Sequence, residues 1–339
     1  MISVLKQIDT DCTDPYRNLA AEKLLTLDAR EGECILFLWQ NRRTVVIGRN
    51  QNAWEECSVR QLEKDGGHLA RRLSGGGAVY HDLGNLNFSF AVRKPDYDPE
   101  KQSTVILRAA EKSGIAAVKT GRNDLEAGGR KFSGNAYFET RGCCCHHGTV
   151  MMDVDTDAMA GYLTVSGTKL QSKGVASVRS RVVNLKELCP DLTAERLKTA
   201  IIEAFGEIYG LPVQPLEQNR LNEADILRES AVLSSEAWLF PPRIPFTAAL
   251  ENRYEWGSFR LELFVRGDRV EQVGCVSDAM DESLIRSVRD ALRDCPYSGA
   301  ELAARVVRAA GAEEDAVTGQ ELRRQTARDI AELIRTRIA

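Results

Sequence analysis

The chain has 339 residues, a formal net charge of −4, 28% charged residues and 43% hydrophobic ones. That length allows a large core and two domains, and the slightly acidic balance excludes a general nucleic-acid surface, so any basic cluster must be local. No run of about 18 apolar residues argues for a membrane span.

Met1-Ile2-Ser3-Val4-Leu5-Lys6-Gln7 lacks a basic region followed by an apolar stretch, so no secretory leader is read there, and a soluble cytoplasmic protein is the expectation. Nine cysteines, an odd number in a large chain, are read as reduced thiols.

Along the chain, Asp14-Pro15 reads as N-cap and first helical position of a helix to about residue 30. Residues 35–39 and 44–47 are short apolar strands joined by the polar turn Gln40-Asn41-Arg42-Arg43. Residues 54–64 read as one helix ending at Gly66-Gly67.

Next comes Arg71-Arg72-Leu73-Ser74-Gly75-Gly76-Gly77-Ala78-Val79-Tyr80-His81-Asp82. A glycine run lets the backbone approach a ligand closely and aim several N–H groups into one concavity. Paired arginines add forked cationic donors for phosphate or carboxylate. A tight turn with two solvated arginines is the alternative. No Gly-Lys-Ser/Thr follows, and Leu86, Phe88, Phe90 and Val92 alternate with Asn87, Ser89 and Ala91 as in a strand. The loop therefore enters a sheet, which excludes the nucleotide loops that open a helix.

Asp98-Pro99 repeats the cap-plus-proline signal for a helix ending near Gly114. Residues 124–133 read as a hairpin turning at Gly128-Gly129, with Glu126 opposite Lys131 and Asp124 opposite Ser133. Alternation then places Asp124 and Lys131 on one face. A carboxylate and an ammonium beside a glycine loop suit a nucleotide phosphate and its metal ion; a simple cross-strand salt bridge is the other reading.

In Cys143-Cys144-Cys145-His146-His147, strand geometry puts Cys143, Cys145 and His147 on one side and Cys144 and His146 on the other. No second Cys/His pair has structural-zinc spacing, so buried thiols beside a functional histidine are expected rather than a metal. Residues 164–184, with Lys169, Lys173, Arg179 and Arg181, read as a solvated loop or as a lid over an anionic ligand.

Residues 192–209 read as a helix. The composition shifts at 234–246, with Pro241-Pro242 and Pro245, and this marks a domain boundary. Beyond it, strands at 259–265 and 270–276 precede helices that begin at the capping boxes Ser298-Gly-Ala-Glu301 and Thr318-Gly-Gln-Glu321.

The motif from Arg71 through Asn85 resembles the signature of the lipoate–protein ligase A family. Gly121-Arg122-Asn123-Asp124-Leu125, Arg130-Lys131-Phe132-Ser133-Gly134-Asn135-Ala136-Tyr137 and His146-His147-Gly148-Thr149 follow in the family's order. So do residues 173–182 and Tyr254-Glu255-Trp256-Gly257, which extends the resemblance over essentially the whole chain. The resemblance implies an α+β fold: a large N-terminal domain of mixed β-sheets flanked by helices, over residues 1–242, as in biotin and lipoate ligases. A small α+β accessory domain follows over residues 243–339.

The implied reaction has two steps. Lipoate and Mg-ATP give lipoyl-adenylate and pyrophosphate, and the lipoyl group then passes to a lysine of a lipoyl domain. Implied acceptors are the acyltransferase subunits of 2-oxoacid dehydrogenases and the H protein of the glycine cleavage system, served by a monomer. By matched position, Arg72 and Gly77-Ala78-Val79-Tyr80 contact the nucleotide, and Lys131 touches both the acyl carbonyl and the phosphate.

Arg71, Ser74, Gly75, Gly76, His81 and His147 fall, with Lys131, at the lipoate. Asp124 either binds Mg2+ or holds Lys131, and Lys173 and Arg179 lie on the adenylate lid. Leu19, Trp39, Ile47, Val79 and Phe88 are candidate walls for the apolar tail. The second domain is implied to swing between the two steps.

Two features depart from the family pattern, a shorter Asp124–Lys131 hairpin and the cysteine run. The rivals are an ATP-independent octanoyl or lipoyl transferase of the same fold and a non-catalytic lipoate binder. Octanoyltransferases carry His-Gly-Pro-Gly where His81-Asp82-Leu83-Gly84 stands here, and the cysteine-dependent transferases place their nucleophile near 121–123, where no cysteine occurs. Biotin ligases share the adenylation logic with a different glycine motif.

Overall fold

The computed structural model describes residues 1–121, 123–164, 181–311 and 319–338. The chain divides into two compact units. One comprises Met1–Val46, Glu56–Ala70 and Val79–Ser235; the other comprises Ile47–Glu55, Arg71–Ala78 and Glu236–Ala339. Two short stretches of the N-terminal half thus group with the C-terminal part.

Up to residue 235 the described strands are β1 (Val4–Asp9), β2 (Glu33–Trp39), β3 (Thr44–Ile47), β4 (His68–Arg71), β5 (Val79–His81), β6 (Asn85–Arg93), β7 (Ala117–Thr120), β8 (Asp124–Ala127), β9 (Arg130–Thr140), β10 (Cys143–Met151) and β11 (Val213–Pro215). The first unit is built on an eight-stranded sheet in the order β11-β1-β2-β6-β10-β9-β8-β7; β4-β3-β5 form a separate small sheet. Strand β1 runs parallel to β2 and β11, and the other neighbours in the large sheet are antiparallel.

Every residue of β2 and nearly every residue of β6 is buried, as expected of central strands covered on both faces. The covers are helical. Helix α1 (Pro15–Asp28) packs with the helix Glu223–Leu233 and reaches β10 through Glu22, which meets His147. The helix Pro99–Lys112 packs with Ala194–Tyr209 and reaches β10 through Gln102, which meets His146. Consecutive histidines on one strand point to opposite faces, so the two helix pairs lie on opposite sides of the sheet.

The cap signals act as the sequence predicts. Asp14 accepts from the N–H groups of Tyr16 (2.8 Å) and Arg17 (3.1 Å), and Asp98 from that of Lys101 (3.0 Å). The single helix expected over 54–64 is instead two short pieces, Ala53–Glu56 and Val59–Lys64. Between them Cys57 pairs with Leu163 as an isolated bridge, and the Ser58 N–H donates to the Tyr162 carbonyl at 2.9 Å. A distant partner for the backbone outcompetes local helix propensity there.

In the second unit β12 (Ala248–Tyr254), β13 (Gly257–Arg266) and β14 (Arg269–Ser277) form an antiparallel sheet, covered by the helices Glu282–Leu292, Gly299–Gly311 and Gln320–Arg337. The sequence reading missed β12. The last helix is capped by Gly319 without a side-chain hydrogen bond, and Thr318 of the second expected capping box lies outside the described residues.

Arg323 is buried in this core, with Nη1 2.9 and 2.8 Å from the two carboxylate oxygens of Asp281 and 2.9 Å from the Ser283 hydroxyl. Removing one partner of a buried ion pair strands the other charge. Arg323→Met is therefore expected to cost about 3–5 kcal/mol, read as a lower urea midpoint at unchanged slope. An unshifted midpoint would contradict that role.

Candidate active site

The β8–β9 hairpin turns through Gly128 and Gly129, with φ of +58° and +73°. Left-handed backbone at both central residues is what a two-residue hairpin turn demands, and glycine supplies it without strain. Glu126 lies opposite Lys131, as expected. The expected Asp124–Ser133 pairing is corrected: Leu125 faces Ser133 and Asp124 faces Gly134, because the register shifts between Leu125 and Glu126. An extra residue on β9 is accommodated as a bulge, which bends the strand and re-aims its side chains.

Lys131 and Asp124 nevertheless meet. Lys131 Nζ is 2.6 Å from Asp124 Oδ1, with the side chains 32% and 24% exposed. The ammonium passes over Gly134, where a Cβ would lie 2.7 Å from Nζ and 2.9 Å from Cε; a side chain at 134 would evict it. Thr149 on β10 supports that glycine, accepting from its N–H at 3.2 Å. On the other side Lys131 bridges Val182, and its carbonyl accepts from the Val183 N–H at 2.9 Å. A half-buried cation with one carboxylate partner and a flat glycine floor can receive an anionic ligand.

A second polar group lies on the α1 face of the sheet. His147 Nδ1 is 2.7 Å from Glu22 Oε1, which also accepts from the Ser89 hydroxyl at 2.5 Å. Ser89 in turn accepts from Trp39 Nε1 at 3.0 Å, and the Trp39 ring meets His81 edge-on at 6.1 Å. The two histidines singled out in the sequence are thus joined through Trp39, Ser89 and Glu22. His81 Nδ1 lies 3.2 Å from Asn41 Nδ2, and all these side chains are buried.

Cys145 belongs here too: single ligand atoms of Glu22, Cys145 and His147 lie within 4.8 Å of one another. Burial holds the Cys145 thiol well above its ordinary pKa, so it sits there as a neutral, apolar group. Cys144 is likewise pushed up to about 12 by burial, with Glu139 adding to the effect.

The sequence reading missed Glu22. It stands on the buried stripe of α1 with Leu19, Leu25 and Thr26, and a carboxylate on an apolar helical face is the signal that could have found it. Of the expected tail walls, Leu19, Trp39, Ile47 and Phe88 are buried and Val79 partly so. Tyr80 is buried against the Tyr162 ring at 5.7 Å. Its hydroxyl is pushed up to about 12 by burial, then by Asp82.

In the second unit, the glycine loop is folded tightly on its surroundings. Arg72 Nη2 donates to the carbonyls of Gly75 (2.6 Å) and Gly77 (2.8 Å), and its Nε to the Ser74 hydroxyl (2.9 Å). The Gly76 N–H donates to the Ala279 carbonyl at 3.0 Å. A Cβ on Gly75 would lie 2.2 Å from that same oxygen, so glycine is required there by close backbone approach, and Gly76 has a left-handed φ of +86°.

Arg71 is 2% exposed and donates to the main-chain carbonyls of Gly48, Arg49, Gln51, Trp238 and Leu239. Burial, with Arg49 nearby, lowers its pKa to about 10, still charged at neutral pH. That placement favours a clamp over a ligand contact. Lys173 and Arg179 lie outside the described residues.

Residues 14–206 match the family of the lipoyl protein ligase A/B catalytic domain, and residues 243–333 match the bacterial lipoate protein ligase C-terminus. The crystal structure of LipL1 from P. falciparum in complex with lipoate superposes with a TM-score of 0.81 at 25% identity, covering 97% of this chain and 99% of that one. A lipoate-protein ligase A solved with ATP bound gives a TM-score of 0.60 at 26% identity, over 70% of this chain and 98% of the other.

The mixed sheet with helices on both faces and the accessory α+β unit define the lipoate-ligase fold. A lipoate-protein ligase A from Psychrobacter cryohalolentis is 39% identical over 301 residues, 86% of this chain and 89% of the relative. The chain belongs to the lipoate–protein ligase A family. No helix among the described residues is long and apolar enough to cross a membrane.

Proposed function

We propose that this chain activates lipoate with ATP and passes the lipoyl group to a lysine of a lipoyl domain, with Lys131 as the catalytic cation. The observation that carries the assignment of Lys131 is its 2.6 Å pair with Asp124 over Gly134. A free carboxylate does not acylate an amine in water without activation. In the first step a lipoate oxygen attacks the α-phosphorus, and the bond to pyrophosphate breaks. In the second an amine attacks the acyl carbonyl, and AMP leaves.

Both steps build negative charge beside the acyl–phosphate link. A fixed ammonium stabilises that charge without reorganising, and losing such a donor typically costs about 10²–10³ in rate. Asp124 holds Lys131 in place through their 2.6 Å pair. Its hard carboxylate is also of the kind that Mg2+ takes alongside substrate phosphates, so Asp124 would hold the ion of a magnesium nucleotide, which would supply charge neutralisation at the phosphates.

Arg72 and Gly77, Ala78, Val79 and Tyr80 are assigned to the nucleotide. His81 and His147, with Ser74, Gly75 and Gly76, are assigned to the lipoate end. Arg71 is assigned as the clamp behind the loop, and Lys173 and Arg179 to the adenylate lid. The acceptors are the lipoyl domains of 2-oxoacid dehydrogenases and the glycine cleavage H protein, in the cytoplasm.

Lipoate-dependent exchange of labelled pyrophosphate into ATP tests the first step without any acceptor. Exchange that needs lipoate and stops on addition of a chelator, then returns with Mg2+, is expected. Exchange indifferent to lipoate would defeat the assignment, and exchange that survives chelation would remove the metal.

A further inference from the structure

His146 faces away from the Glu22 cluster and has no role in the chemistry above. It is fully buried among Phe88, Phe90 and Tyr137, with ring centroids 5.6, 6.0 and 4.7 Å away. Its Nε2 is 2.9 Å from Asn135 Oδ1, and its Nδ1 is 3.1 Å from Gln102 Oε1. Asn135 is the residue after Gly134, the floor under Lys131.

Asn135 is tied to Asn123, the residue before Asp124, by three hydrogen bonds. The Asn135 N–H and Nδ2 donate to the Asn123 carbonyl at 2.9 and 3.0 Å, and Asn123 Nδ2 donates to the Asn135 carbonyl at 2.9 Å. This clamp closes the β8–β9 pairing just beyond the Asp124–Gly134 pair. The ladder needs closing there, because it is broken by the bulge between Leu125 and Glu126, and a bulge leaves a residue unpaired and the register weakly held.

The hydrogen bonds fix the proton on His146. Asn135 Nδ2 is spent on the Asn123 carbonyl, so its oxygen faces the imidazole and Nε2 must donate. Burial holds His146 well below its ordinary pKa, with His147 and Lys119 adding to the effect, so the ring is neutral and Nδ1 must accept. An amide nitrogen of Gln102, not its oxygen, then satisfies Nδ1. That orientation also gives a partner to Gln102 Nε2, which has none when its oxygen faces the ring.

We propose that His146 is a positioning residue: through Asn135 and Asn123 it holds the Asp124–Lys131 pair in its working geometry. The proposal rests on the assignment of Lys131 above. The chain of contacts runs from Gln102 on the helix Pro99–Lys112, across β10, to both ends of the reactive hairpin segment. The Nε2 proton gives the Asn135 oxygen its donor, so the amide tied to Asn123 through Nδ2 is held at both of its polar atoms.

Two replacements separate positioning from packing. His146→Phe keeps an aromatic ring among aromatic neighbours and deletes the donor. His146→Gln packs worse but keeps an N–H at the reach of Nε2. Positioning predicts that kcat for ligation falls about tenfold in the Phe variant, the worth of one buried hydrogen bond, with KM for lipoate unchanged, and that the Gln variant recovers most of it. A packing role predicts the opposite order, and equal activity of the two variants would equally overturn the proposal.

A measurement on the wild-type protein stands apart from folding of the variants. Nitrogen-15 NMR of the imidazole should show a neutral ring with the proton on Nε2; a proton on Nδ1 would overturn the proposal. If wild-type protein gives no ATP-dependent ligation, the Lys131 assignment fails, and the NMR result still reports on the His146 clamp.

Discussion

Lys131→Ala is expected to fold normally and to lose at least about 10²–10³ in the rate of lipoylation, the usual cost of removing one fixed donor from a developing negative charge. The side chain is about a third exposed and pairs with a partly exposed Asp124, and exposed pairs contribute only about 0–1 kcal/mol to stability. Activity and stability should therefore separate cleanly. Circular dichroism and thermal melting would match wild type, while mass spectrometry of the acceptor would show little modification. Lipoylation at the wild-type rate would remove Lys131 from its role.

The second large effect is on stability. Arg71→Met should lower it by roughly 3–5 kcal/mol, since five main-chain carbonyls lose a charged partner and several of these acceptors are buried. For a chain of this size that corresponds to a fall in Tm of roughly 4–7 °C. Trp238 would loosen with it, because its Nε1 donates back to the Arg71 carbonyl at 2.9 Å and its ring carries the Arg49 guanidinium at 3.8 Å.

The lipoate KM decides between clamp and ligand contact. A clamp predicts an unchanged KM at temperatures where the variant is folded. A raised KM with an unchanged Tm would make Arg71 a carboxylate ligand instead.

What the sequence makes legible follows the range of the interactions. The Asp14-Pro15 and Asp98-Pro99 starts and the Gly128-Gly129 turn are decided within a few residues, and they form where expected. The Asp124–Lys131 pair is legible in part: the turn sets Glu126 opposite Lys131 and alternation along β8 keeps Asp124 on that face, while the expected Asp124–Ser133 pairing gives way to Asp124–Gly134.

The bulge at Leu125–Glu126, the break at Cys57–Ser58 and strand β12 of the second unit depend on partners the local pattern does not contain. The buried polar clusters are the extreme case. His146 finds Gln102 at 44 residues' separation and His147 finds Glu22 at 125. The motif His146-His147-Gly148-Thr149 marks the strand, yet its two histidines serve opposite faces, and only the packed helices show which does what. The arginine pair is similar: forked donors beside glycines fit an anion, but the folded chain turns both guanidiniums onto its own carbonyls.

The measurement that bears most directly on the whole account is intact-mass spectrometry of an apo lipoyl domain incubated with this protein, lipoate and Mg-ATP, alongside a reaction without ATP. The account predicts the mass of one lipoyl group added to a single lysine, only when ATP is present. Modification that proceeds without ATP from an acyl thioester, or an acceptor left unmodified while pyrophosphate exchange runs, would contradict it.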